Sequence, residues 1–163
     1  MTAFLLSAHV LAAIIAIGPV AVAASMFPPA ARAAREHPDR PEKAAATRLL
    51  HRITRVYAVI GILVPVFGIA TGWSLGVLGD AWLIVSMLVT VGAAAVLIGL
   101  ILPAQRRILA DIEASDSPPL QAPGVTAGLS RRLAMHTGMF NLLWAVVVVL
   151  MITRPGSTTG AGS

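Results

Sequence analysis

The sequence predicts an all-α protein built as a four-helix transmembrane bundle, and three observations carry that expectation. Hydrophobic residues make up 57% of the 163 and charged residues only 12%, about half of the roughly 25% usual in soluble domains. Too little polar side chain is present to coat a water-facing surface, which excludes a soluble enzyme. Four apolar runs, at about 4–27, 56–79, 81–103 and 133–152, contain no Asp, Glu, Lys or Arg. Each supplies the roughly 20 helical residues that cross a hydrocarbon core. Lastly, of the 12 Lys and Arg residues, all except Arg154 fall in two loops, which four crossings place on the same side. Transmembrane strands are about half as long and alternate apolar with polar residues, a pattern that none of the runs shows.

The first span, 4–27, lacks a basic flank and exceeds the apolar core of a signal peptide. Although Ala-Val-Ala-Ala-Ser at 21–25 resembles a cleavage site, the run is expected to remain as a span. Pro28 and Pro29 are expected to end it, and Pro38 and Pro41 to interrupt the Ala/Arg-rich loop that follows. From Glu42 onward, good helix formers run into the second span. Gly61, Gly68, Gly72 and Gly76 mark that span, the last three at four-residue spacing. Such a stripe lets helix backbones approach closely. Ala12 and Ala16 repeat the spacing in the first span, and Gly138 and Asn141 extend the pattern to the fourth. The resulting contacts lie within the bundle or between subunits. Asn141 is expected to bond Ser86 or Thr90 across helices, and Trp73, Trp82 and Tyr57 to mark the two membrane boundaries. Ser115 to Gly128 reads as irregular and 155–163 as a disordered tail.

The basic loops carry Arg32, Arg35, Arg40, Lys43, Arg48, Arg52 and Arg55, then Arg106, Arg107, Arg131 and Arg132. By the positive-inside rule they are cytoplasmic and both termini lie outside, in what reads as a bacterial inner membrane. Acidic residues are mixed among these cations, and their place beside the spans fits anionic lipid head groups rather than nucleic acid. With no cysteine, disulfides, thiolate zinc sites and cysteine nucleophiles are excluded.

Four histidines remain for chemistry. His9 lies ~7 Å into the apolar layer, where an ionisable residue is by default a functional candidate; the alternative is a neutral imidazole bonded to a neighbouring helix. His51 and His136 both lie near the basic face, too far in depth from His9 for one ion to bridge the two levels. Met135, His136 and Met139 would suit copper(I), or Met simply fills gaps between helices. His37 sits in a charged loop and is expected to be solvated. No span carries a mid-membrane Asp, Glu, Lys or Arg, so a charge-relay pump or ion-coupled carrier has no evident machinery.

The segment His9-Val10-Leu11-Ala12-Ala13-Ile14-Ile15 with Gly18, and the closing Val149-Leu150-Met151-Ile152-Thr153-Arg154-Pro155-Gly156, resemble an uncharacterised bacterial family of predicted four-helix integral membrane proteins. That family is similar to the copper-resistance D and HemJ-type membrane families. The resemblance implies a four-helix membrane domain with His9 as its most informative position, because the equivalent histidine of the HemJ-type relatives is associated with haem. The tryptophan usual seven residues later is replaced here by Ala16. The leading expectation is a non-catalytic or accessory membrane subunit that contacts lipid and either a second copy or a partner subunit. The alternative is a haem- or copper-binding protein using His9, or His51 with His136. A solute or metal-ion pathway through the bundle is the weakest of the three.

Overall fold

A computed structural model of the chain describes residues 2–114 and 123–156, with the side chains of 123–127 left aside. Among the described residues the regular structure is all helical: α1 (Thr2–Glu36), α2 (Pro41–Ile60), α3 (Leu63–Leu75), α4 (Ala81–Val96), a five-residue π-helical turn (Leu97–Ile101), α5 (Leu102–Glu113) and α6 (Pro123–Thr153). Four continuous stretches are long and apolar enough to cross a membrane: Thr2–Glu36, Pro41–Leu75, Ala81–Glu113 and Gly128–Thr153. The expected tail lies mostly outside the described residues.

Several helix ends differ from the sequence expectation. The first helix does not stop at Pro28 and Pro29 but runs through them to Glu36. Its extension is held by packing, since Phe27, Pro28, Ala31 and Ala34 are all buried. Neighbouring helices can compensate for backbone groups that a proline leaves free. The fourth span belongs to a helix starting ten residues earlier than its apolar run, with Pro123 in the first turn where a missing N–H is harmless. Residues 123–128, expected as irregular chain, are therefore helical. The second and third spans are each interrupted. Gly61 and Ile62 form a turn between α2 and α3, with Pro65 following. The π-helical turn precedes Pro103, whose ring would clash with the carbonyl four residues back in a regular helix.

Both basic loops lie at one end of the bundle. Arg35, near the end of α1, forms an ion pair with Asp111 of α5 at 3.2 Å and reaches Ser130 Oγ of α6 at 3.4 Å. At the opposite, terminal end, Ser74 Oγ donates to Thr2 Oγ1 at 3.0 Å, and the Arg154 guanidinium lies 5.5 Å from the centre of the Trp82 ring. The lone cation at that end is thus held over an aromatic face, and the Trp82 indole in turn donates to Asp80 at 2.9 Å.

The core is uneven along the bundle axis. Its larger part joins α1, the π-helical turn, α5 and α6 around Phe27, Ile101, Ile108, Leu133 and Phe140. A smaller cluster, Ala12, Ala16 and Val64, joins α1 to α3. Helix α1 lies against α2 and α3, α4 lies against α6, and α3 and α4 barely touch. Around this frame apolar side chains such as Leu11, Ile14, Val91 and Val149 point outward and exposed, the arrangement expected of a surface dissolved in lipid tails.

Candidate functional site

The small residues of α1 and α3 bring His9 to its position. Ala12 and Ala16 are buried, Ala16 completely, so the two backbones approach closely. The His9 ring then meets α3 at two atoms. Its Nδ1 lies 2.9 Å from the carbonyl oxygen of Val64. Its Cε1 lies 3.0 Å from where a Cβ on Gly68 would stand, so only glycine leaves room for the ring in this pose. A carbonyl oxygen can only accept, so Nδ1 carries the proton. In the neutral ring that leaves Nε2 with its lone pair. Among the described residues Nε2 has no hydrogen-bond partner, and it is not one of the fully enclosed polar atoms that lack one. A carbonyl behind one ring nitrogen and a free lone pair on the other is the arrangement by which histidine ligands are oriented toward metals.

The glycine stripe divides into separate tasks. Gly68 admits the His9 ring. Gly72 is buried, and a Cβ there would lie 2.9 Å from Leu83 Cδ2 and 3.1 Å from Leu78 Cδ2. At Gly76 an added Cβ would meet open space. This residue ends α3 in the left-handed conformation with φ of 72°, which glycine adopts without a steric penalty. A Cβ at Gly138 would likewise meet open space. Asn141 donates to Ser25 Oγ of α1 at 3.3 Å, not to Ser86 or Thr90. Those two hydroxyls bond to their own helix, at Trp82 O and Ser86 O respectively.

At the basic end the structure pairs His51 with Gln105 rather than with His136. His51 Nδ1 lies 2.9 Å from Gln105 Oε1, and Gln105 is completely buried, with its Nε2 unpartnered among the described residues. Sequence reasoning passed over Gln105; the signal was an amide placed among Leu102, Ile108 and Leu109, all of which turn inward. His136 lies half-buried on α6, while Met135 and Met139 are 65% and 41% exposed on the outer surface. These thioethers line an outward face, which does not fit a soft-metal site within one chain. Among the described residues, no group of three or more His, Asp or Glu side chains converges.

Further polar atoms lie inside α6. Among the described residues Thr137 Oγ1, Asn141 Oδ1 and Trp144 Nε1 are buried without a partner, and their spacing puts them along one inward side of the helix. The Trp144 ring meets Phe140 edge-on, with centroids 6.4 Å apart.

Comparison with known proteins agrees with this architecture. The family model of DUF2269, described as a predicted integral membrane protein, matches residues 3–155, so the chain belongs to that family. No curated protein and no solved structure matches. The expected kinship with the copper-resistance D and HemJ-type families therefore rests on the sequence resemblance alone.

Proposed function

We propose, taking membership of this membrane family as the premise, that the protein is a non-catalytic or accessory subunit of a bacterial inner membrane, with its basic end in the cytoplasm. The observation that carries this reading is the use made of its polar side chains. Thr47, Thr54, Thr71, Ser86 and Thr90 each bond to a carbonyl of their own helix. His51, Asn141 and Arg35 tie helices to one another. The visible work is therefore assembly of the bundle, and the apolar exterior is the surface offered to lipid, a second copy or a partner subunit. The orientation follows from the clustering of cations at one end.

The chain has no cysteine of its own, so Ala46→Cys at the basic end and Gly79→Cys at the terminal end can each be labelled alone. In intact cells a membrane-impermeant maleimide is expected to react at position 79 only. Reaction at position 46 instead would reverse the orientation.

A second reading, in which His9 would hold a haem iron through Nε2, is favoured by the bond to Val64 O, which turns Nδ1 to the backbone. The fit is partial. One oriented nitrogen is present, but position 16 is a buried alanine where an aromatic wall would help enclose a macrocycle. A haem so held would place redox chemistry in the bilayer, with His9 binding the iron and Val64 orienting the ring. The absorbance spectrum of the purified protein decides between the readings. A Soret band that is lost in His9→Ala establishes the second reading, and a colourless preparation leaves the first.

A further inference from the structure

A cavity of about 130 Å³ opens in the side of the bundle between the α2–α3 junction and α4. Its floor is formed by Val20, Leu97 and Phe140, all buried, and its rim by Ile62, Pro65, Ala94 and Ile98, all exposed. The rim belongs to the lipid-facing surface, at the seam where α3 and α4 barely meet, so access is lateral from the bilayer. The volume is close to the roughly 150 Å³ of an apolar cavity that accepts a benzene ring.

The two interruptions of the second and third spans, the α2–α3 turn and the π-helical turn, lie on the walls of this cavity. At the α2–α3 turn the Ile62 N–H bonds Val59 O at 3.1 Å, which takes from Ala58 O its regular donor. Pro65 has no N–H, and Gly61 O receives that of Val64 instead. Opposite, the Leu102 N–H bonds Leu97 O in the wider π register. The next pair in that register would join Pro103 to Ile98 O, and proline has nothing to donate. Ala58 and Ile98, both lining residues, thus each carry a carbonyl stripped of its regular partner. In hydrocarbon such groups are costly unless something else donates to them. Aromatic rings complete the walls, from Tyr57, Phe140 and Trp144.

We propose that this cleft binds the ring of a membrane-dissolved phenol or hydroquinone. The ring lies among Tyr57, Phe140 and Trp144, and its O–H donates to the carbonyls freed at Ala58 and Ile98. A lipid acyl chain would fill the volume but supplies no donor, and water would supply donors but leave the aromatic walls unmatched. The site is separate from His9 and does not depend on haem.

The test uses the full chain in lipid nanodiscs, with 4-fluoro-2-octylphenol and its methyl ether as fluorine NMR probes and empty nanodiscs as the blank. The phenol is expected to give a saturable bound signal at one per chain. Filling the rim with Ala94→Leu or Ile98→Trp should abolish it while the helical circular dichroism stays unchanged; both positions face lipid, so the fold tolerates the added bulk. The ether, which cannot donate, should bind at least about tenfold more weakly. A phenol signal no different from the blank would overturn the proposal, as would one that survives both rim variants or equal binding of the phenol and its ether.

Discussion

The contact between His9 and Gly68 makes a prediction whose sign depends on the genetic background. Gly68→Ala adds a methyl group 3.0 Å from Cε1 and 3.3 Å from Nδ1 of His9, closer than ordinary van der Waals contact. The ring must retreat by a few tenths of an ångström. That stretches its 2.9 Å bond to Val64 O toward the limit of hydrogen-bond geometry. Overpacking of this kind costs about 1–3 kcal/mol, and the weakened bond about 0.6 kcal/mol more in a membrane setting. Against this, replacing glycine by alanine within a helix gains about 1 kcal/mol. The net expectation is a loss of about 1–2 kcal/mol. In a His9→Ala background the steric term and the bond are both gone, and the same Gly68→Ala change should stabilise by up to about 1 kcal/mol. The coupling of about 2–3 kcal/mol is within what contacting residues show. Reversible unfolding in mixed detergent micelles, followed by far-ultraviolet circular dichroism over the four members of the cycle, measures it. An equal effect of Gly68→Ala in both backgrounds would refute the view that the glycine exists to admit the ring.

Four further expectations follow from contacts elsewhere in the bundle. Asp111→Ala should destabilise by about 1–3 kcal/mol, because it strands Arg35 at a site where the paired side chains are only 22% and 13% exposed. Glu113→Ala, which removes the 51%- and 50%-exposed pair with Arg48, should change stability by no more than about 0.5 kcal/mol in the same unfolding assay. Gly76→Val should cost about 1–2 kcal/mol, since it forces a β-branched residue to φ of 72°, whereas Gly79→Ala, in open space and at a φ that L residues adopt, should be near neutral. Pro65→Ala restores a donor for Gly61 O, so amide exchange over 62–66 should slow as the turn tightens toward regular helix; unchanged exchange would mean that Gly61 and not Pro65 sets the break.

How much of this was legible in the sequence depends on the kind of interaction. The spans were plain, because burial in lipid is read from apolar length. Their ends were not, because hydropathy is blind to helix that continues into water. Pro28 and Pro29 looked like a stop, yet the chain past them is fixed by buried Ala31 and Ala34, a tertiary effect that outweighs local propensity. The helix before Leu133 was missed for the same reason: Ser130, Arg131 and Arg132 are helical but not apolar. His9 stood out as an intramembrane ionisable group, whereas its partner did not, since Val64 contributes only a backbone atom that any residue would carry. The glycine stripe signalled close approach, but the separate tasks of Gly68, Gly72 and Gly76 depend on which side chains face them. The pairing of His51 with Gln105 needed the relative placement of α2 and α5, for which nothing local in either segment is a signal.

The distribution of ties explains why the irregular backbone lies where it does. At the basic end, Arg35 with Asp111, Arg48 with Glu113 and His51 with Gln105 bind α1 and α2 to α5, and Arg35 reaches α6 as well. Toward the terminal end the polar contacts fall inside two separate pairs: His9 and Thr2 join α1 to α3, while Arg154 and Trp82 join α6 to α4. The polar ties between the two helix pairs are thus gathered at one end, leaving a seam between α3 and α4 where the two meet only sparsely, as where Leu83 packs at Gly72. Regular helices could have packed along that seam. Instead Pro65 and Pro103 disrupt both of its walls near the same level, where freed carbonyls have no neighbouring helix to serve them. Irregular backbone at membrane depth is tolerated only where it is buried in protein or lines a cavity. The coincidence of two breaks, one cavity and one open seam therefore marks this level of the bundle as built for an occupant rather than for packing.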